Sequence, residues 1–250
     1  MTSKNKLHLN SQKSNYIIFR KPGSTCRMLP PLILDNKPII IVQSVKFLGL
    51  SIDQFLQWDV HINSVNRKIA PLTGILHRLQ HVLSDAAKRA IYFGLIHSNL
   101  TCMNIVWGTA TKSRLWPLEV FQKRCLKILF RYPASTPSKI LFNKLSALSL
   151  SQQYILSSAV TMYQLTKGLK RSNVNFHIRS NISGHSTRNP HLLHLPKCKS
   201  SKYGTGGVSH GIIIFFNLIP TFLHDVNNTS LFKKKIKSYF FYRSIDVMLH

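Results

Sequence analysis

Acidic residues are scarce in this chain. Only 7 Asp and Glu stand against 34 Lys and Arg, which gives a formal net charge of +27 over 250 residues. The acids are also scattered, whereas two-metal phosphoryl chemistry needs clustered carboxylates that hold the ions close together. Asp35, Asp53, Asp59 and Asp85 stand at predicted turns, strand ends and helix starts, where a carboxylate has a local capping role. The sequence therefore predicts no metal site of its own.

Cysteine and long apolar runs are scarce too. The 4 cysteines lie far apart with no Cys-x-x-Cys pair, which argues against a disulfide framework and against a zinc knuckle. The longest apolar run, residues 212–216, is too short to span a bilayer, and no signal-peptide stretch opens the chain. We expect an intracellular protein, nuclear or cytoplasmic, that is neither secreted nor bound to a membrane.

The basic residues are spread along the chain. Only Lys233, Lys234 and Lys235, with Lys237, form a dense run. With 44% hydrophobic residues, the chain has enough apolar material for a folded core. A folded basic surface suits a polyanionic partner, most simply nucleic acid. A membrane surface suits it less well, because no segment joins a long apolar face to a single basic stripe.

Patterning divides the chain into a β-rich start and a helical remainder. Short strands are predicted at residues 16–19, at 32–34 and 38–42 around a polar turn, and at 45–52, where Gly49 interrupts the segment. From Trp58 the apolar period changes to three and four residues, which indicates amphipathic helices. The prediction is an α+β fold, predominantly α, with a small sheet, a helical bundle and a less regular C-terminal segment.

Helix signals set the predicted boundaries. The first helix covers residues 58–79, and Pro71 should kink or split it. The second begins at Ser84 and continues to Leu100. Its predicted apolar face comprises Ala87, Ile91 and Leu95. Further helices are predicted at residues 114–131, from a Thr136 N-cap, from a Ser149 capping box to about residue 167, and at 230–242.

Several sequence blocks occur in the order found in one polymerase family. The blocks near the start are Leu7-His-Leu-Asn-Ser-Gln-Lys13-Ser14, Lys46-Phe-Leu-Gly49 and Trp58-Asp-Val-His61-Ile62. Those further on are Trp107-Gly108, Leu118 with Gln122-Lys123-Arg124, Thr187-Arg188, Phe216-Asn-Leu-Ile-Pro220 and Leu231-Phe-Lys233. Together they resemble the end of the palm and the thumb of reverse transcriptases from non-LTR retrotransposons, of the LINE or jockey-like class. Cys102, Met103, Phe216 and Ser14 depart from residues that this family favours.

The resemblance implies a domain order and a function. Residues 1–56 would be the end of the palm with a primer-grip-like hairpin, 57–168 a helical thumb-like domain, and 169–250 a post-thumb region. The family's catalytic aspartates would lie upstream of Met1, so we expect a C-terminal fragment that is inactive alone. The parent activity would be RNA-directed DNA synthesis with Mg²⁺. This chain would contribute binding of RNA and DNA as a primer–template duplex, and its protein partner would be a separate chain carrying the palm.

The resemblance also implies site residues near the start of the chain. Lys13 matches a lysine near the incoming triphosphate, and would take a catalytic role only where a palm is supplied. Lys46, Phe47, Leu48 and Gly49 would form the primer grip. A solvated loop lysine and an ordinary buried strand are the respective alternatives. Phe47 and Leu48 are expected to point to opposite faces of a strand, which would leave one of them in the core.

Candidate contacts to the duplex backbone lie on the predicted helices, and a solvated helix face is the alternative for each. They are Lys68, Arg78, Lys88, Arg89, Lys123, Arg124 and Lys127. We expect Trp58, Trp107 and Trp116 to be core or interface anchors rather than base-stacking platforms. His61, His77 and His81 lie near one helix without a third ligand, which favours structural or solvent roles. No local motif supports a Cys–His pair.

Two other functions stay open at this point. A repurposed interaction protein would keep only the fold and use its basic surface to bind RNA or an acidic partner in a ribonucleoprotein. A non-functional pseudogene product would aggregate, because its first strands would lack the palm that should cover them.

Overall fold

The computed structural model describes residues 10, 13–24, 30–171, 176–179, 192–198, 200 and 206–243. The Thr187-Arg188 block and Cys26 lie outside these residues. The chain divides into two compact units, Met1–Ser64 and Val65–His250. The described strands belong to the first unit and most of the described helices to the second, which confirms an α+β fold that is predominantly α. The domain borders after residues 56 and 168, which come from the family resemblance, stay predictions.

The first unit contains short two-stranded ladders. Its described strands are β1 (Asn15–Tyr16), β2 (Ile33–Leu34), β3 (Lys37–Pro38), β4 (Ile40–Ile41), β5 (Ser44–Phe47) and β6 (Leu50–Asp53). β1 pairs with β4 in parallel, whereas β2–β3 and β5–β6 are antiparallel hairpins. The predicted hairpin with a polar turn is confirmed, with Asp35 and Asn36 at φ 48° and 60°. Its strands are shorter than predicted, because Ile40 and Ile41 pair with β1 instead of extending the hairpin.

The segment around Gly49 is a hairpin turn. Leu48 and Gly49 have φ of 48° and 87°, the positive values that a tight two-residue turn between twisted strands requires. Phe47 and Leu48 are 60% and 74% exposed. The expectation that one of them is in the core is wrong, because Leu48 lies in the turn and does not alternate with Phe47 along a strand.

The start of the first helix is capped by a buried carboxylate. Asp53 accepts hydrogen bonds from the backbone N–H groups of Phe55, Gln57 and Trp58, the last at 2.7 Å. This confirms a turn and cap role for Asp53. Helix α1 (Asp59–Leu79) follows and runs unbroken through Pro71, so the predicted split does not occur.

The other described helices follow α1 in a compact succession. They are α2 (Asp85–Ile91), a π-helical turn (Tyr92–His97), α3 (Ser98–Thr101), α4 (Asn104–Trp107), α5 (Lys112–Phe130), α6 (Ser138–Leu145), α7 (Leu150–Thr166), α8 (Val208–Asn217), a 3-10 turn (Thr221–Leu223) and α9 (Thr229–Arg243). The Ser84 cap and the Ser149 capping box are confirmed. The cap of α6 is Pro137 rather than Thr136. Among the described helices, none is both long and apolar enough to cross a membrane.

The buried face of the second predicted helix differs from the prediction. Tyr92, Ile96 and Leu100 are 0–1% exposed, whereas Leu95 is 47% exposed. Apolar residues occur on several sides of this segment, so periodicity alone did not identify the core face. The hydroxyl of Tyr92 also bonds to the buried Gln122, which holds this side of the helix inward.

The core of the second unit joins α7 to α8 and α9. Tyr163 of α7 stacks on Phe232 of α9 with ring centroids 4.1 Å apart, and its hydroxyl donates to the carbonyl of Val226. Asn217, at the end of α8, clamps the backbone of Leu193 through both ends of its amide, at 2.9 and 3.0 Å. The described part of the predicted post-thumb region therefore shares a core with the last predicted thumb helix.

Candidate nucleic-acid interface

Helix α5 has an apolar inner face and a basic outer face. Leu118, Cys125 and Leu129 are fully buried on the inner side. The outer side contains residues spaced three or four apart, which lie on one face of a helix. These are Trp116, Val120, Lys123, Arg124 and Lys127. Three of the seven predicted duplex contacts therefore lie together on this surface, which we call the α5 face.

Contacts at each end hold the cations of the α5 face in place. The Lys123 ammonium lies 5.3 Å from the centre of the Trp116 ring, within range of a cation–π interaction. The Lys127 ammonium donates to the carbonyl of Ala134 in the loop that follows the helix. Arg131 caps the C-terminus of α5 and is exposed. The α5 face is thus a basic surface on which Lys123 and Lys127 have defined contacts, with an exposed indole near its start.

The two predicted contacts on α2 are partly engaged in structural interactions. The Lys88 ammonium lies 3.5 Å from Asp85, and the Lys88 side chain is only 12% exposed. Arg89 donates to the carbonyl of Leu145 and lies 5.0 Å from the centre of the Phe93 ring. Lys88 is therefore the less suitable of the two for phosphate binding, since its side chain is mostly buried and has an acidic neighbour.

Sequence reasoning left the lysines of α9 out of the interface. Burial, then Arg89 and Lys233, lower the pKa of Lys237. Burial, then Lys237 and Lys233, lower the pKa of His97 to about 4. Lys237 is therefore exposed to the positive charges of both Arg89 and Lys233. The basic run at Lys233–235 was visible in the sequence, but the coupling of the nearby Lys237 to Arg89 of α2 depends on tertiary packing.

The remaining predicted residues are exposed at separate places. Lys68 and Arg78 project from α1. Lys13 is exposed, and its backbone N–H bonds to Asn10. Lys46 lies on β5 and is exposed beside the turn at Leu48 and Gly49, within the first compact unit. The primer-grip candidates thus form one small exposed hairpin.

Comparisons with protein-family models, with curated proteins and with solved structures find nothing that matches this chain. The residues and their geometry are therefore the basis for a function.

One motif residue has a structural role that its sequence block did not indicate. Gln122 is 1% exposed, and its amide nitrogen donates to the Tyr92 hydroxyl at 2.8 Å and the Leu148 carbonyl at 3.1 Å. Its oxygen accepts from the Leu150 N–H at 3.0 Å. Gln122 therefore joins three segments behind the α5 face. Burial raises the pKa of the Tyr92 hydroxyl well above its usual range, which keeps this network neutral.

Histidine and cysteine form few groupings in the described ranges. His77 and His81 are exposed, whereas His61 is buried and accepts from the Ser51 N–H at 3.3 Å. Within those ranges, no three His, Cys, Asp or Glu side chains are grouped to hold a metal ion. Cys198 Sγ lies 3.7 Å from His210 Nδ1, a Cys–His pair that no local motif indicated.

Proposed function

We propose that the second compact unit, called the helical unit below, binds nucleic acid through the α5 face. It would do so as the thumb-like part of a reverse transcriptase of the non-LTR retrotransposon class. The observation that carries the proposal is the grouping of Lys123, Arg124 and Lys127 on one helix face of a chain with net charge +27. Each lysine or arginine that neutralises a phosphate releases a counterion, which makes binding favourable and dependent on salt.

The proposed mode of binding is contact with the sugar–phosphate backbone. Lysine and arginine on a helix face hold phosphates without reading base edges, and A-form duplexes are recognised mainly by shape. A primer–template duplex with a recessed end is the substrate class that the family resemblance suggests. Lys46 and the exposed turn at Leu48 and Gly49 would contact the primer strand in the same proposal.

The proposal assigns binding but no catalysis to these residues. The carboxylate of Asp53 accepts backbone N–H bonds, and Asp85 is paired with Lys88, so both acids have structural roles. Mg²⁺ and the aspartates that bind it would belong to a palm supplied separately, and Lys13 would act only there. Incorporation of labelled dNTP by the purified chain on a primed RNA template, abolished by EDTA, would contradict this assignment.

A salt titration of duplex binding tests the proposal. We expect the purified chain to bind an RNA–DNA duplex with a recessed 3′ end more tightly than a single strand of equal length. Neutralising the α5 face with K123Q, R124Q and K127Q should weaken binding and reduce the slope of log K against log salt by about 2–3, roughly one counterion per lost cation.

A matched variant distinguishes binding by the α5 face from a general effect of the protein's net charge. K21Q, K37Q and K139Q remove the same three charges from exposed positions outside the α5 face. We expect this variant to change the slope by less than about 1. Equal losses in the two variants, together with equal binding to heparin, single strands and duplexes, would favour a generic polybasic surface and the repurposed interaction protein.

A further inference from the structure

The indole of Trp116 is unusual among the tryptophans of this chain. The sequence contains 3 tryptophans, and Trp58 and Trp107 are 5% and 0% exposed. Trp116 is 55% exposed near the start of α5. Of the expected core or interface roles, the core role is wrong for Trp116, whose large apolar ring is left in contact with water.

The surroundings of Trp116 are basic and rigid. Lys123 lies 5.3 Å from the ring centre, and Val120, one turn further along, is 42% exposed. Arg124 is exposed beside Val120 on the same side of the helix. Leu115 and Leu118, on either side of Trp116 in sequence, are 5% and 0% exposed, so packing holds the backbone of this turn. The indole is therefore a pre-positioned aromatic surface next to cations.

We propose that Trp116 stacks on an unpaired base of the bound nucleic acid, while Lys123 and Arg124 hold the adjoining phosphates. This inference rests on the proposed nucleic-acid binding and adds single-stranded segments to its substrate class. An aromatic ring beside cations is the arrangement that binds unpaired strands, because every base has a π face that can stack. Lys123 reinforces it through its attraction to the ring.

The charges around the ring also indicate on which side of Trp116 the bound strand passes. Glu119 is the one acidic residue of α5, and it lies three residues after Trp116 on the opposite side of the ring from Val120 and Arg124. Lys123, four residues after Glu119, offsets this acid on its own side, whereas Arg124 has no acidic neighbour on α5 and leaves its side the more attractive to phosphates. The bound strand therefore passes Trp116 on the side of Val120 and Arg124.

Tryptophan fluorescence tests the stacking directly. A stacked base quenches an indole, and Trp116 is the most exposed of the 3 tryptophans. We expect oligo-dT of about 12 nucleotides to quench the emission, and an abasic strand of the same length and charge to quench it far less. W116F should abolish this quenching, because the two buried tryptophans remain unaffected.

Affinity measurements supply the second readout. W116A should lower the affinity for oligo-dT about 10-fold or more, whereas W116F should retain most of it. The matched control is F222A, which removes a ring that is 70% exposed on a separate 3-10 turn and should leave affinity unchanged. Circular dichroism should show W116A folded with an unchanged melting temperature.

The outcomes separate this inference from the proposed function. Wild-type affinity of W116A for oligo-dT, or equal quenching by the abasic strand, would overturn the stacking while salt-dependent binding persisted. Absence of binding to every nucleic acid would overturn both. Loss of nucleic-acid binding in the K123Q, R124Q and K127Q variant but not in W116A would likewise overturn the stacking and leave backbone contacts as the mode of binding.

Discussion

Gln122 shows how one buried amide can organise the back of a functional surface. Both ends of its side chain are bonded, to the Tyr92 hydroxyl, the Leu148 carbonyl and the Leu150 N–H. A buried polar group that loses its partner costs far more than a hydrogen bond contributes on average. The residue therefore fixes the position of α5 relative to the π-helical turn and the start of α7.

Replacing Gln122 with leucine should destabilise the protein strongly. The substitution keeps the volume similar but leaves a hydroxyl, a carbonyl and an N–H buried without their partner, which we expect to cost about 3 kcal/mol or more. Urea denaturation measures the change in the free energy of unfolding. Gln153→Leu is the control, since Gln153 is half-exposed and makes one bond of 3.4 Å to Ser157. If the Gln122→Leu variant were as stable as this control, Gln122 would not have the structural role inferred here.

For individual side chains, some structural roles could be predicted from the sequence and others could not. The Asp53 and Ser149 caps were predictable because their signals lie within a few residues of the groups they bind. The role of Gln122 was not, because its partners are 26 to 30 residues away. The exposure of Trp116 was equally hidden, since it depends on which face of α5 other helices cover.

Among the helices, close packing depends on two glycines that face Tyr154 of α7. A Cβ at Gly108 would lie 2.4 Å from the carbonyl oxygen of Asn104 and 2.5 Å from the Tyr154 ring. A Cβ at Gly211 would lie 2.9 Å from the Tyr154 hydroxyl. The end of α4 can therefore approach α7 only because position 108 lacks a side chain, whereas a side chain at position 211 would require the Tyr154 hydroxyl to shift. The Trp107-Gly108 block thus has a packing explanation that is independent of nucleic acid.

Two glycine-to-alanine substitutions should change stability in opposite directions. Gly108→Ala should cost about 1–3 kcal/mol, because the backbone oxygen of Asn104 cannot move away. Gly74→Ala should add about 0.5–1 kcal/mol, because Gly74 lies within α1 with nothing near its Cβ position and alanine favours helix. Thermal melting of both variants measures the difference. Equal shifts in the same direction would contradict the packing explanation.

The positions of helices along the chain were easier to predict than the contacts that those helices make with one another. The helices α1, α5 and α7 were predicted close to their observed bounds, because amphipathic periods and caps are local properties. The hairpin at Leu48 and Gly49 was only partly predicted, since a run of apolar residues can be one strand or two. The sharing of one core by α7, α8 and α9 required contacts across more than 40 residues, which no local pattern encodes.

For the molecule as a whole, two properties act in opposite directions on solubility. The net charge of +27 makes copies of the chain repel one another. The first compact unit exposes apolar side chains on and beside its short strands: Ile33 at 68%, Ile40 at 72%, Phe47 at 60% and Leu48 at 74%. Exposed strands with apolar side chains favour association with other chains. Which effect dominates should depend on salt, because only the repulsion is screened.

We therefore expect self-association to increase with salt while nucleic-acid binding decreases. Raising the ionic strength from about 0.1 to 1 M shortens the screening length from about 10 to 3 Å, so repulsion between copies fades. Sedimentation velocity should then show larger species, and I33T combined with I40T should suppress them without lowering the melting temperature. V82T is the control, because Val82 is 83% exposed but lies in the helical unit. A chain that stays monomeric and melts cooperatively at both salt concentrations would show that these strands do not promote association, and would argue against the pseudogene product.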